Sequence, residues 1–252
     1  KPERIQKHYE SGKKYLTPQL KGSTTHQPVD LVTKEESAKV IEAAIRKKLK
    51  KPTGELTKAD LEKVPMLNLS GNKLTDVPKG LENLTQLTNL DLRENNLSNL
   101  EGLEKLTQLT NLKLGSNQLS DLKGLEKLVK LTNLELEWNQ LVSVKKLENI
   151  TQLTQLDLTI NQLTDVKGLE KLTKLTVLKL GANQLSDVKG LEKLTQLKSL
   201  TLNENKLTDV KGLEKLSNLE YLDLRRNPDL IKAQIDKLQN ALPKCRISHD
   251  FR

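Results

Sequence analysis

Apolar residues recur along this chain on a fixed lattice, most legible in Leu175 to Gln196, LTVLKLGANQLSDVKGLEKLTQ. Leu175, Leu178 and Leu180 hold positions 1, 4 and 6 of this unit, Asn183 position 9 and Leu185 position 11. Leu178 and Leu180 alternate with Lys179 and Gly181, the period of a strand with one wet face. Val188, Leu191 and Leu194 then follow three apart, at positions 14, 17 and 20, over a stretch too short for a long helix. Short 3₁₀-like turns suit such a return segment. The asparagine counts the copies: Asn72, Asn95, Asn117, Asn139, Asn161, Asn183, Asn205 and Asn227, with a first step of 23 residues and six of 22. Self-similarity at a fixed period means a repeat architecture.

The physics of one unit fixes how the next must sit. Equivalent strands are too far apart in sequence for a hairpin, so the spacing predicts parallel pairing with a crossover, in eight or nine strands. A lone repeat cannot bury its leucines, and stacked neighbours make one continuous core. The asparagine carboxamide both donates and accepts. Stacked in register, these side chains can satisfy backbone groups where each strand bends, as burial of polar groups requires.

The pattern LxxLxLxxNxL, carried from Val64 to Leu230, resembles the leucine-rich repeat family. Its 22-residue spacing, with apolar residues at positions 14, 17 and 20, is similar to the class in bacterial internalins and in a eukaryotic phosphatase-regulating subunit. The resemblance implies an α/β solenoid: a leucine-rich repeat horseshoe with a parallel β-sheet on the concave face and a 3₁₀ or irregular convex side. It also implies a non-catalytic interaction module in a secreted, periplasmic or cell-surface bacterial setting.

The flanks break the lattice. Residues 1–34 mix charge, Gly, Pro and Thr with little periodicity, as a flexible basic leader does. His8 and His26 lack acidic or cysteine partners at ligand spacing, so no metal site is expected there. From Glu35, Val40, Ile41, Ala44, Ile45 and Leu49 fall at helical spacing, ending in the basic run RKKLKK, which reads as a solvated face near a helix C-terminus. Pro52 and Gly54 stop that helix, and Thr57 with Asp60 forms a capping-box pattern opening a short turn. Residues 35–63 are thus expected to be a helical N-terminal cap, which resembles that of bacterial leucine-rich repeat proteins and covers the open edge of the first of eight repeats (64–227). Residues 228–252 are expected to be a C-terminal cap of helix and strand, with Ile231, Ile235, Leu238 and Leu242 on the helix's apolar face and Cys245 and Ile247 on the strand. Two repeats deviate: Pro78 lengthens the first, and Lys146 replaces a turn glycine, so that turn need not take φ > 0.

Charge and chemistry narrow the function. The formal net charge is +9, of which residues 1–63 carry +6, residues 228–252 carry +2 and the repeats only +1. The concave face has no basic stripe with stacking aromatics, so nucleic acid is not an expected partner. No apolar run approaches the length of a membrane span. The near-identical Lys and Glu columns of the return segments read as structural and solubilising. One cysteine excludes an intramolecular disulfide framework. Cys245, His249 and Asp250 outline a thiol nucleophile, but residues so close on one strand converge poorly, and a buried cap cysteine is the expectation. No cofactor is implied, and an enzyme is not expected.

Function must then reside in what varies. By period-two alternation, positions 3, 5 and 7 face the concavity and position 8 its rim. The central units place Trp138, the sole tryptophan, beside Ile160 and Val177, all expected to be exposed, with the carboxylates Glu135, Glu137 and Asp157 and, toward the N-terminal side, Asp91 and Arg93. An aromatic ringed by aliphatic and acidic side chains has the makings of a binding hot spot for a protein or peptide, with the chain acting as a monomer. The alternative is an anionic-surface binder working through the basic N-terminal segment, the repeats serving as a spacer.

Overall fold

The computed structural model describes residues 33–251. The expected leader lies outside them, with His8 and His26, apart from Thr33 and Lys34, which open the first helix. Helix α1 spans Lys34–Leu49. Its Thr33 cap is reciprocal: the hydroxyl accepts from the Glu36 N–H at 3.2 Å, while the Glu36 carboxylate accepts from the Thr33 N–H at 2.7 Å. The apolar spacing sets which face is covered, and Ile41 and Ile45 are buried in the same core as the leucines. At the far end Arg46, Lys47 and Lys48 crowd the last turn, where the helix dipole favours cations. A single turn, α2 (Lys58–Leu61), follows with the anticipated Thr57–Asp60 cap. Lys51 reaches the Asp60 carboxylate at 2.7 Å and, with the Thr57 bonds, holds its pKa well below the ordinary range.

Nine three-residue strands then form one parallel sheet in chain order: β1 Met66–Asn68, β2 Asn89–Asp91, β3 Asn111–Lys113, β4 Asn133–Glu135, β5 Gln155–Asp157, β6 Val177–Lys179, β7 Ser199–Thr201, β8 Tyr221–Asp223 and β9 Arg246–Ser248. The middle residue of each strand pairs with the middle residue of the next, so Leu67, Leu90, Leu112, Leu134, Leu156, Leu178, Leu200, Leu222 and Ile247 lie in one row. The eight leucines of that row are buried and Ile247 packs against them. The anticipated 3₁₀ turns occur on the return path at Leu81–Asn83, Leu103–Lys105, Lys145–Leu147, Leu191–Lys193 and Leu213–Lys215. Four begin after a glycine at φ 96–104°, which only glycine adopts without steric cost. The turn glycine's N–H donates to the glutamate two residues on, at 2.6 Å in Gly190–Glu192, so the repeated Glu column closes the turn as well as solvating it. Where Lys146 stands instead, the turn enters through Val144 at φ −116°, with no left-handed residue.

The asparagines tie the layers together. Asn161 is 8% exposed; its Nδ2 donates to the carbonyls of Leu158 in its own unit and Leu136 in the preceding one, at 3.1 and 3.0 Å. Its Oδ1 accepts from the Leu141 N–H at 3.0 Å. The same three bonds recur from Asn117 to Asn227, and each position-6 carbonyl between them serves two asparagines. A second ladder runs at position 2, where the Thr110, Thr132, Thr154 and Thr176 hydroxyls each donate to the threonine carbonyl of the preceding unit.

At the C-terminal end, helix α3 spans Lys232–Ala241, with Ile235, Leu238 and Leu242 buried and Cys245 leading into β9. Ile231, expected on the helix's apolar face, is instead 59% exposed. It precedes the first turn, and its N–H is capped by the Gln234 side chain at 3.0 Å, so its own side chain lies outside the helical spacing.

Replacing Asn161 by alanine should strand an amide and reduce the bonding of two buried carbonyls, and unmet buried groups cost about 1–3 kcal/mol each. We expect a loss of roughly 3 kcal/mol in urea unfolding; a loss below about 1 kcal/mol would show that the ladder is not what fixes the bend. Starting the chain at residue 64 should uncover β1 and the leucines under Ile41 and Ile45. Aggregation or a lower melting temperature is the expected result, and an unchanged monomeric melt would remove the capping role of α1.

Candidate functional site

Strand length decides how the variable positions are presented. Each strand ends at position 5, yet the ladder of backbone bonds continues: the Trp138 N–H donates to Thr159 O at 2.9 Å and the Ile160 N–H to Gly181 O at 2.9 Å. To keep that bond and then turn away, position 8 adopts the left-handed region throughout: Glu94, Ser116, Trp138, Ile160, Ala182, Glu204 and Arg226 all lie at φ 53–58°. For side chains other than glycine or asparagine this conformation is costly, above all for a β-branched one. Period-two alternation does not reach position 8, and here the sequence expectation needs correction. Trp138, Ile160 and Val177 are half-buried and not exposed. For Trp138 and Ile160 the reason is that a left-handed residue turns its side chain off the strand's alternation, whereas Val177 opens strand β6 between its paired neighbours Gln155 and Ser199.

The position-5 column brings the expected charges together. In register run Asp91, Lys113, Glu135, Asp157, Lys179, Thr201 and Asp223. Arg93 donates Nε and Nη2 to the two carboxylate oxygens of Asp91, at 3.0 and 2.7 Å. This bidentate bond, working against partial burial, keeps the Asp91 pKa below its ordinary value. The Asp-Leu-Arg triplet repeats the pairing at Asp223 and Arg225. Lys113 pairs with Glu135 at 2.9 Å, Arg93 approaches the same carboxylate at 3.8 Å, and Lys179 pairs with Asp157 at 2.9 Å. Glu135 and Asp157 are direct cross-strand neighbours, a like-charge pairing that weakens a sheet.

Glu137 is the exception. Its side chain lies over Gly115 of the preceding unit, so closely that a Cβ there would overlap the carboxylate. Its Oε2 is shut off from solvent and accepts no hydrogen bond. Burial raises the Glu137 pKa, with the charges of Asp157 and Glu135 adding to the shift. Gly181 beneath Asn203 is built the same way, with 2.6 Å from a would-be Cβ to Asn203 Oδ1. The sequence reading missed these pairs; the signal was a glycine at position 7 followed by a long polar residue at position 7 one repeat later.

The Cys245, His249 and Asp250 group makes no nucleophile. Cys245 is 4% exposed and burial pushes its thiol pKa up to about 11, whereas a reactive thiolate needs the opposite shift. Asp250 accepts from the Arg226 N–H, and the His249 ring faces Phe251 at 6.0 Å beside a cavity of about 150 Å³. Among the described residues no acidic, histidine and cysteine side chains cluster as metal ligands, and no helix is long and apolar enough to cross a membrane.

Comparison with known proteins gives a consistent likeness. Residues 151–193 and 195–240 each match the family described as leucine-rich repeats in two copies. The crystal structure of internalin C2 from Listeria monocytogenes is similar at 25% identity and TM-score 0.80, over 92% of this chain and all of that one. Internalin F from the same organism matches at 25% identity and TM-score 0.76, over 89% of this chain and 66% of that one. A leucine-rich repeat protein of Leptospira interrogans matches at 32% identity and TM-score 0.71, over 76% of this chain and 50% of that one. No curated protein matches the chain.

The sign of the Glu137 shift makes a prediction. A raised carboxyl pKa means that the folded protein binds this proton more tightly than the unfolded chain does. Stability therefore falls as pH rises from the ordinary value of 4.5 through the raised one, and the deficit persists at neutral pH. Glu137→Gln should raise the melting temperature at pH 7 and bring little change near pH 4. A destabilised Glu137→Gln at pH 7 would mean that the carboxylate is paired in solution.

Proposed function

We propose, from the leucine-rich repeat fold and the likeness to bacterial internalins, that this internalin-like chain is a non-catalytic module binding a protein or peptide on its concave face around Trp138 and Ile160. Leucine-rich repeat proteins in general act as protein-interaction modules. The observation that carries the finer reading is the placement of two large apolar side chains, side by side in adjacent repeats, in the column where non-glycine residues hold a left-handed backbone. Glycine would relieve that strain, as Gly71 does in the first unit. The bend itself serves the fold in every unit, but its cost is greatest for a β-branched residue, so keeping Ile160 there supports use of that side chain. Trp138 and Ile160 would supply the apolar anchor, flanked by Val177, with Glu135, Glu137, Asp157, Asp91 and Arg93 giving the charged surround. The internalin-like kinship supports a secreted, periplasmic or cell-surface setting, and the module is proposed to act as a monomer.

Peptides selected from a random displayed library against the full chain provide the ligand for a test by calorimetric titration. Trp138→Ala should weaken their binding by about 2 kcal/mol, as tryptophan anchors do, or roughly thirtyfold. Ile160→Gly should weaken it as well while keeping stability within about 1 kcal/mol, since relief of strain offsets lost packing. Leu158→Ala, beneath the face, should instead cost about 2–5 kcal/mol of stability. Full affinity in both Trp138→Ala and Ile160→Gly would move the site off this face, with the basic end of α1 the next place to examine.

A further inference from the structure

The concave face carries an imbalance that the fold does not need. Its central cations are committed: Arg93 to Asp91, Lys113 to Glu135 and Lys179 to Asp157. Three carboxylates nevertheless meet there, two of them as direct cross-strand neighbours. Among the described residues Glu137 enters no ion pair, and its Oε2 is closed to solvent without a hydrogen-bond partner. Buried acceptors are ordinarily satisfied, and an exception calls for an explanation. Folding offers none, because glutamine or a smaller residue over Gly115 would avoid the desolvated charge.

Gly115 supplies the second half of the observation. With no side chain below it, the Glu137 carboxylate rests against backbone, and nothing bonds Oε2 in place. Trp138, the adjoining residue, and Ile160 in the next unit offer apolar surface of the kind on which the methylene stem of a long cationic side chain packs. We propose that this spot receives a lysine or arginine side chain of a protein partner, with Glu137 as its counter-ion and Trp138 and Ile160 as its apolar walls. The inference rests on the concave-face reading and adds the chemistry of the partner. Charge complementarity supports it: an incoming cation meets Glu137, the one carboxylate of the three that enters no ion pair among the described residues, whereas an incoming anion meets cations already paired. The raised pKa of Glu137 accords with this, as a cation would lower it again. Burial, Asp157 and Glu135 act against the charge of Glu137, while its own backbone N–H, Arg93 and Lys179 act in its favour.

The test uses the full chain and peptides from the random displayed library. Selection should enrich lysine or arginine at one fixed position beside apolar residues. For a synthetic peptide of that consensus, Glu137→Gln should weaken binding at least thirtyfold, the range for truncating one partner of a buried charge pair. Replacing the peptide's arginine by citrulline, a neutral isostere, should cause the same loss, with little further loss in Glu137→Gln. The peptide change needs no protein variant, so its result does not depend on how Glu137→Gln folds. Melting at pH 7 should show Glu137→Gln folded and stabilised. Peptides weakened by Trp138→Ala but indifferent to both Glu137→Gln and citrulline would overturn this inference and leave the concave-face reading standing. Peptides indifferent to all three changes would overturn both.

Discussion

Each repeat must turn its chain away from the sheet without leaving buried backbone unbonded, and the asparagine ladder is what makes that turn possible. One carboxamide bonds carbonyls in two successive units and an N–H in the preceding one, as Asn161 does with Leu158, Leu136 and Leu141. The bonds therefore close the bend and fix the stacking register at once. A slip of one residue would break the amide bonds on both sides and turn the buried leucine row toward solvent. That double penalty is why the nine strands stay in register although each is only three residues long.

The same register makes the concave face a readout of the variable positions. Because middle leucines align from Leu67 to Leu222, position 5 of one unit always stands beside position 5 of the next. A charge placed there meets its neighbour whatever the rest of the repeat contains. Most of these meetings are resolved within the face: Lys113 with Glu135 and Lys179 with Asp157. Those around Glu137 are not, and they coincide with Trp138 and Ile160 in strained backbone. Consistency across levels is what a foldable sequence shows, and local violations gather where function is served. The central repeats hold such violations together.

The ends solve a different problem. A stacked array exposes raw leucines at its first and last layers, and its edge strands offer unpaired backbone. At one end Ile41 and Ile45 of α1 are buried in the core; at the other, Ile235 and Leu238 of α3 are, with β9 as a final strand. Both use residues that break the repeat period, so these end helices and the repeats are separable in the sequence.

Period alone dictated the repeat fold. A 22-residue spacing of leucines admits only parallel stacking, and the asparagine, the Thr57–Asp60 cap and the missing glycine at Lys146 each signal their local geometry through near-neighbour chemistry. What the chain's one-dimensional pattern could not carry was contact between repeats. That Glu137 lies over Gly115, 22 residues earlier, depends on two side chains sharing a column, and its missing partner depends on Arg93, Lys113 and Lys179 being engaged elsewhere. The half-burial of Trp138 and Ile160 follows from a left-handed bend that keeps the backbone ladder bonded beyond the strand, where alternation no longer applies. Ile231 shows the same limit: helical spacing extended to it, but the capping bond from Gln234 began the helix one residue later. Local periodicity fixes which residues are core; burial, pairing and strain on the open face are sums over neighbours distant in sequence, and only the stacked structure brings those neighbours together.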